Sequence, residues 1–161
     1  MWLSSEAILF HEEVIRMKLI EILKSKGTEV FSVDIGASVF DAIRIMVEKG
    51  IGSVMVMDGK RQIGIFTERD LMRRVCLNDL DYHKIAIEKV MTQEIIYGQP
   101  QDDVQYAINV MTTNRIRHLP VLEDGTLVGV ISIGDLLKLQ QTELEYENRV
   151  LKDYISDRYP G

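Results

Sequence analysis

The chain repeats itself. Sliding the sequence against itself by 65 positions lays SVFDAIRIMVEKGIGSVMV over DVQYAINVMTTNRIRHLPV. Val39, Ala42, Ile43, Met46, Ile51, Val56, Gly64, Asp70 and Leu71 then meet identical residues at Val104, Ala107, Ile108, Met111, Ile116, Val121, Gly129, Asp135 and Leu136. Two copies of one unit is the simplest account. A single copy of about 50 residues would bury too little surface to be secure alone, so the copies are expected to pack together. The expected arrangement is sheet against sheet about a pseudo-twofold axis, with two equivalent clefts where strand ends and helix starts meet.

Within each copy the hydropathy pattern changes in a fixed order. Val39, Ala42, Ile43 and Met46, and again Val104, Ala107, Ile108 and Met111, make the stripe of an amphipathic helix. A β-rich run follows, SVMVMD or HLPVLE, then a turn with Asp58-Gly59 or Asp124-Gly125, then QIGIF or LVGVI, which together predict a hairpin. The Asp-Gly pair sits one residue later in the second copy, a slip the turn is expected to absorb. A short helix follows from Thr67 to about Val75, and another from Ser132 onward; EVFSV and EIIYG supply a short strand ahead of each amphipathic helix. The unit is thus β-α-β-β-α, and the fold class is mixed α/β (α+β). Pro120 cannot donate to a strand ladder, which places its stretch at an edge or a bulge.

Outside the repeat, KLIEILKSK predicts a helix closed by Gly27, while Leu137, Leu144 and Leu151 stand at heptad spacing in a long last helix. Packing on its own domain and a coiled coil explain those leucines equally well. The expected divisions are an N-terminal extension at 1–17, repeats at 18–80 and 81–140, and a C-terminal helical extension at 141–161.

Composition excludes several functions. With 25 acidic against 19 basic residues and no basic run longer than Arg73-Arg74, the surface repels nucleic acid. No apolar run approaches the roughly 20 residues a membrane helix needs. The first 18 residues carry three glutamates and lack the basic start and apolar core of a secretory signal, so a cytoplasmic location is expected. Cys76, the single cysteine, sits among apolar neighbours in RRVCL and is expected to be a buried, inert thiol.

The segment GIFTERD at 64–70 returns as GVISIGD at 129–135, each with a hydroxyl residue three positions before an aspartate. One reading is a capping box, in which Thr67 or Ser132 accepts from an orphan amide of the first turn. Aspartate is shorter than the usual glutamate or glutamine, so its reach back to the cap amide is expected to be poorer, though its charge suits the helix dipole. The other reading is a pocket. A turn beginning with glycine lets a ligand approach the backbone, and the first helical amides point at it. A carboxylate there can accept both hydroxyls of a ribose, with Ile65 and Phe66, or Val130 and Ile131, flanking a purine. A cap and a ribose contact are compatible.

The repeated unit, GIFTERD, GVISIGD and IRHLPVLEDGTLVGVIS together resemble the paired CBS-domain module, over roughly residues 18 to 140. That resemblance implies tandem CBS repeats packed as a pseudo-twofold pair, a frequent further pairing into a homodimer, and clefts that bind adenosine-containing ligands such as AMP, ATP, NAD or S-adenosylmethionine. It implies ribose contacts at Asp70 and Asp135, with Thr67 and Ser132 beside them. Pro120, inside RIRHLPV, belongs to the same candidate site. Arg69, Arg117 and His118 are the basic groups best placed for phosphate, since a guanidinium holds phosphate oxygens bidentately. His118 shows no ligand-like spacing with His11 or His83, so no metal is expected. Gly134 stands where the first copy has Arg69, and Gly52 and Ser53 where the second has Arg117 and His118, so the two sites are expected to differ.

The chain shows no nucleophile elbow, phosphate-binding loop, metal cluster or dinucleotide glycine fingerprint, and no enzyme is expected. The leading expectation is a regulatory module that binds an adenine nucleotide without requiring a cofactor and acts on a separate, unidentified effector protein. The alternative is a structural interaction module whose hydroxyl-aspartate pairs are only caps.

Overall fold

A computed structural model describes residues 17–158 of the 161. All of the expected extension at 1–17 except Met17 lies outside the described residues. The chain forms two compact units, each of mixed α and β structure. One spans Glu29–Tyr97; the other runs from Gly98 onward and includes the segment up to Thr28.

The first unit follows the β-α-β-β-α order. Strand β1 (Ser32–Asp34) precedes a helix (Val39–Lys49), strands β2 (Ser53–Asp58) and β3 (Arg61–Thr67), and a helical turn at Glu68–Asp70 that widens to π-helix over Leu71–Cys76. β1 runs parallel to β2, and β2 antiparallel to β3. Val39, Ala42 and Met46 bury the predicted stripe against Val54, Val56 and Phe66. The helix starts at Ser38, whose hydroxyl accepts from the Asp41 amide while the Asp41 carboxylate takes the Ser38 amide at 3.1 Å. Cys76 is exposed, not buried as its neighbours suggest, because the π-helical segment turns Val75, and in part Leu71, into the core and leaves Cys76 on the other side.

The second unit repeats this with a helix at Val104–Asn114, β4 (His118–Glu123), β5 (Thr126–Ser132) and a long helix, Ile133–Arg158. The strand expected in EIIYG is reduced to one parallel bridge, Gly98 to Val121. Two prolines explain the loss. In the first unit Met55 donates its amide to Phe31 and Ile35 donates to Met57; the residues 65 positions on from Met55 and Ile35 are Pro120 and Pro100, which have no N–H. Only the bonds from Gly98 to the Pro120 carbonyl and from Leu122 to the Gly98 carbonyl survive. Pro120 does lie in a two-stranded sheet beside a bulge, at Val121/Leu122.

The hairpin turns have equal length, so no slip needs absorbing. Asp58 pairs with Arg61 and Glu123 with Thr126, leaving two-residue loops. Gly59 takes φ 61° at the first loop position, whereas Asp124 and Gly125 both take positive φ, 49° and 78°. The second pattern is that of a type I′ turn.

Helix α1 (Leu19–Lys26), closed by Gly27 as predicted, belongs to the second unit and not with the repeat that follows it. Leu19, Ile22 and Leu23 are buried among Val104, Ala107, Met111, Leu119, Val121 and Ile131. In the first unit Ile87, Val90 and Met91, at the same spacing of three and one, fill the matching place. The linear boundaries at 18–80 and 81–140 therefore differ from the compact units: each core is completed by an apolar triplet from the head of the other linear repeat.

Those triplets explain the glycines at the start of GIFTERD and GVISIGD. A Cβ at Gly64 would lie 2.3 Å from Met91 Sδ, and one at Gly129 would lie 2.5 Å from Leu23 Cδ2. The glycines admit core side chains, not a ligand. In the long helix Leu136 is 2% exposed and packs inward, while Leu137, Leu144 and Leu151 are exposed. Among the described residues no helix is long and apolar enough to cross a membrane.

Candidate functional site

Both hydroxyl-aspartate elements are reciprocal capping boxes. Thr67 donates from its amide (3.0 Å) and hydroxyl (2.8 Å) to Asp70 Oδ2, and the Asp70 amide donates back to Thr67 Oγ1 at 3.3 Å. Ser132 donates from its amide (2.7 Å) and hydroxyl (2.8 Å) to Asp135 Oδ2, with the Asp135 amide returning to Ser132 Oγ at 3.3 Å. Aspartate reaches the cap amide in both, contrary to the expectation from its length; the extended backbone at the cap, φ −125° and ψ 166° at Thr67, brings that amide over the carboxylate. Each helix start is further tied to the residue just ahead of the hairpin's first strand, Glu68 N–H to the Gly52 carbonyl (3.1 Å) and Ile133 N–H to the Arg117 carbonyl (2.9 Å).

Ser53 lies across the ladder from Thr67, and His118 from Ser132. In the second unit the candidate residues Arg117, His118, Ser132 and Asp135 thus meet where β4, β5 and the long helix converge, with Pro120 buried two residues into β4. In the first unit Thr67, Asp70 and the exposed Arg69 share one turn.

Three residues outside the candidate site read from the sequence complete the carboxylate surroundings. Thr92 pairs its backbone with Ile65 through both N–H and C=O and donates its hydroxyl to Asp70 Oδ1 at 2.9 Å. Arg74 approaches the same oxygen at 3.5 Å and donates to the Val90 and Met91 carbonyls. In the second unit the Lys26 ammonium donates to the Val130 carbonyl (2.8 Å) and to Asp135 Oδ2 (2.5 Å). Ile65 and Val130 are equivalent positions, so a threonine backbone and hydroxyl do in one unit what an ammonium does in the other. Burial pushes the Asp135 carboxyl up, but Lys26 and the Ser132 amide and hydroxyl outweigh it and hold the group below the ordinary carboxylate value.

A family model for the CBS domain matches the chain twice, over residues 22–76 and 87–141. The chain belongs to the CBS-domain family. The chain is 32% identical over 148 residues to the CBS domain-containing protein CBSX3, mitochondrial, of Arabidopsis thaliana, covering 86% of this chain and 72% of that protein. A protein with CBS domains from Burkholderia ambifaria superposes with a TM-score of 0.73 at 41% identity, over 76% of this chain and 92% of that one. The CBS domain pair of protein MJ0100 shares the fold, with a TM-score of 0.67 at 22% identity, covering 76% and 98% of the two chains. The resemblance read from GIFTERD, GVISIGD and IRHLPV is therefore correct at the level of family and fold.

Proposed function

We propose that this CBS pair is a non-catalytic regulatory module that binds an adenosine-containing ligand, such as AMP, ATP or NAD, beside its capping boxes and passes the binding event to a separate protein. The observation that carries this reading is the hydroxyl-carboxylate box built twice, at Thr67–Asp70 and Ser132–Asp135, in a chain of this family. A carboxylate fixed at a helix start suits a ribose diol, and the positive end of the helix suits an anion beyond it. Arg69, Arg117 and His118 are the proposed phosphate contacts. The MJ0100 domain pair has been solved in complex with 5′-methylthioadenosine and S-adenosylmethionine, which supports an adenosine ligand here. The ligand transmits a signal only by favouring one conformational state over another.

The second reading, a structural interaction module without ligand, is favoured by one observation: both boxes are satisfied internally as caps. Thermal unfolding against AMP, ATP, NAD, NADH and S-adenosylmethionine separates the two. A ligand at about 100 times its dissociation constant adds ~2.7 kcal/mol, several degrees of melting shift for a chain this size. At least one compound is expected to give that shift and to lose it in the variant carrying both Asp70→Asn and Asp135→Asn. Melting curves indifferent to every compound would leave the boxes as caps alone.

The module is further proposed to act as a homodimer through the long helix. Leu137, Leu144 and Leu151 are 56%, 58% and 42% exposed, which supports a partner helix over packing on their own unit. Sedimentation equilibrium is expected to give twice the chain mass, falling to one chain when all three leucines become glutamine; an unchanged mass in the triple variant would place the dimer contact elsewhere.

A further inference from the structure

The two carboxylates are equivalent in the repeat and unequal in what they have left to offer. An ionised carboxylate presents about four lone-pair positions. At Asp70 both oxygens are engaged: Oδ2 accepts from the Thr67 amide and hydroxyl, and Oδ1 accepts from the Thr92 hydroxyl, with the Arg74 guanidinium beside it as an ion pair at 3.5 Å. Asp70 is 7% exposed, the only charged residue buried among those described. At Asp135 the Ser132 amide, the Ser132 hydroxyl and the Lys26 ammonium all converge on Oδ2. Oδ1 accepts no hydrogen bond among the described residues, and the side chain is 16% exposed against 9% for that of Asp70.

The two occupants also differ in how firmly they sit. Thr92 is held by the paired backbone bonds to Ile65, by Met91 wedged over Gly64, and by Arg74 gripping the two carbonyls before it. A ligand could displace its hydroxyl only by lifting the strap at 90–92. Lys26 reaches Asp135 from the end of a flexible four-carbon stem, 31% exposed, and leaves one oxygen untouched. Its charge would then stand beside whatever anionic group the ligand carries.

We propose that Thr92 closes the first carboxylate, so that the protein binds one adenosine-containing ligand per chain, at Asp135, with Asp70 serving as a lock on its own helix start. This rests on the ligand-binding reading above and names which half of the duplicated site is open. Thr92 is a positioning residue: it sets the availability of Asp70 and need not touch the ligand.

Titration calorimetry of the full chain with the adenosine compound that gives the largest melting shift tests it. One equivalent per chain is expected, lost in Asp135→Asn. Thr92→Ala is expected to raise the stoichiometry toward two, and adding Asp70→Asn to it to return the value to one. Thr92→Ser keeps the hydroxyl and is expected to stay at one; it also shows that a folded variant at this position binds normally if the alanine variant is poorly folded. Two equal sites in the unaltered protein, or one site that survives Asp135→Asn, would overturn the lock while leaving adenosine binding intact. No binding heat with any of the five compounds would overturn the ligand reading itself, and the lock with it.

Discussion

Leu23→Ala is expected to lower the unfolding free energy by about 2–5 kcal/mol, the range for a fully buried leucine, by loosening the second unit although Leu23 stands at the head of the first repeat. Leu23 is 0% exposed and its Cδ2 occupies the space a side chain at Gly129 would need. Gly129→Ala alone is therefore expected to cost about 1–3 kcal/mol by overpacking. Combined, the new methyl enters the volume the leucine vacates, and the double variant is expected to fall short of the sum by roughly 1 kcal/mol or more. Denaturant unfolding of the four proteins reads this directly. Additive costs, or a Leu23→Ala cost below about 1 kcal/mol, would detach helix α1 from the second core.

Asp70→Ala is expected to cost more than Asp135→Ala. Both lose the carboxylate side of a capping box, the bond from the Thr67 or Ser132 amide, worth about 0.5–1.5 kcal/mol. At Asp70 the change also strands the part-buried Thr92 hydroxyl, adding about 1–3 kcal/mol for an unsatisfied donor. At Asp135 the further loss is a part-exposed pair with Lys26, in the range of about 0–1 kcal/mol. Equal costs, or a larger one at Asp135, would contradict the difference in burial between the two boxes.

The fold was legible wherever a residue pattern repeats at constant offset. The helix stripes, the hairpins and the capping boxes all recur at 65 positions, and each appears in the structure where the pattern puts it. What escaped were features set by partners distant in sequence. Leu19, Ile22 and Leu23 match Ile87, Val90 and Met91 at an offset of 68, so a search at 65 passes over them and α1 reads as an appendage. The glycines were read as openings for a ligand because the side chains that fill them belong to those same triplets. The second unit's missing strand was readable in principle: Pro100 and Pro120 fall where the first unit donates ladder hydrogen bonds, but that follows only once the β1–β2 register is known.

The candidate site divides the same way. Thr67, Asp70, Ser132 and Asp135 were visible because their spacing is local, three residues within one helix turn. Thr92, Arg74 and Lys26 carry no local signature, since each reaches its carboxylate by tertiary packing or, for Arg74, by one turn of a helix that the sequence does not mark as functional. Their difference, a hydroxyl on a strap against an ammonium on a stem, turns two similar boxes into two unequal ones.

The most direct measurement is a crystal structure of the full chain grown with the adenosine compound that most raises its melting temperature. Ribose hydroxyls are predicted within hydrogen-bond distance of Asp135 Oδ1, with the Thr92 hydroxyl still on Asp70. A nucleoside on Asp70 with Thr92 displaced, or one that touches neither carboxylate, would contradict that assignment.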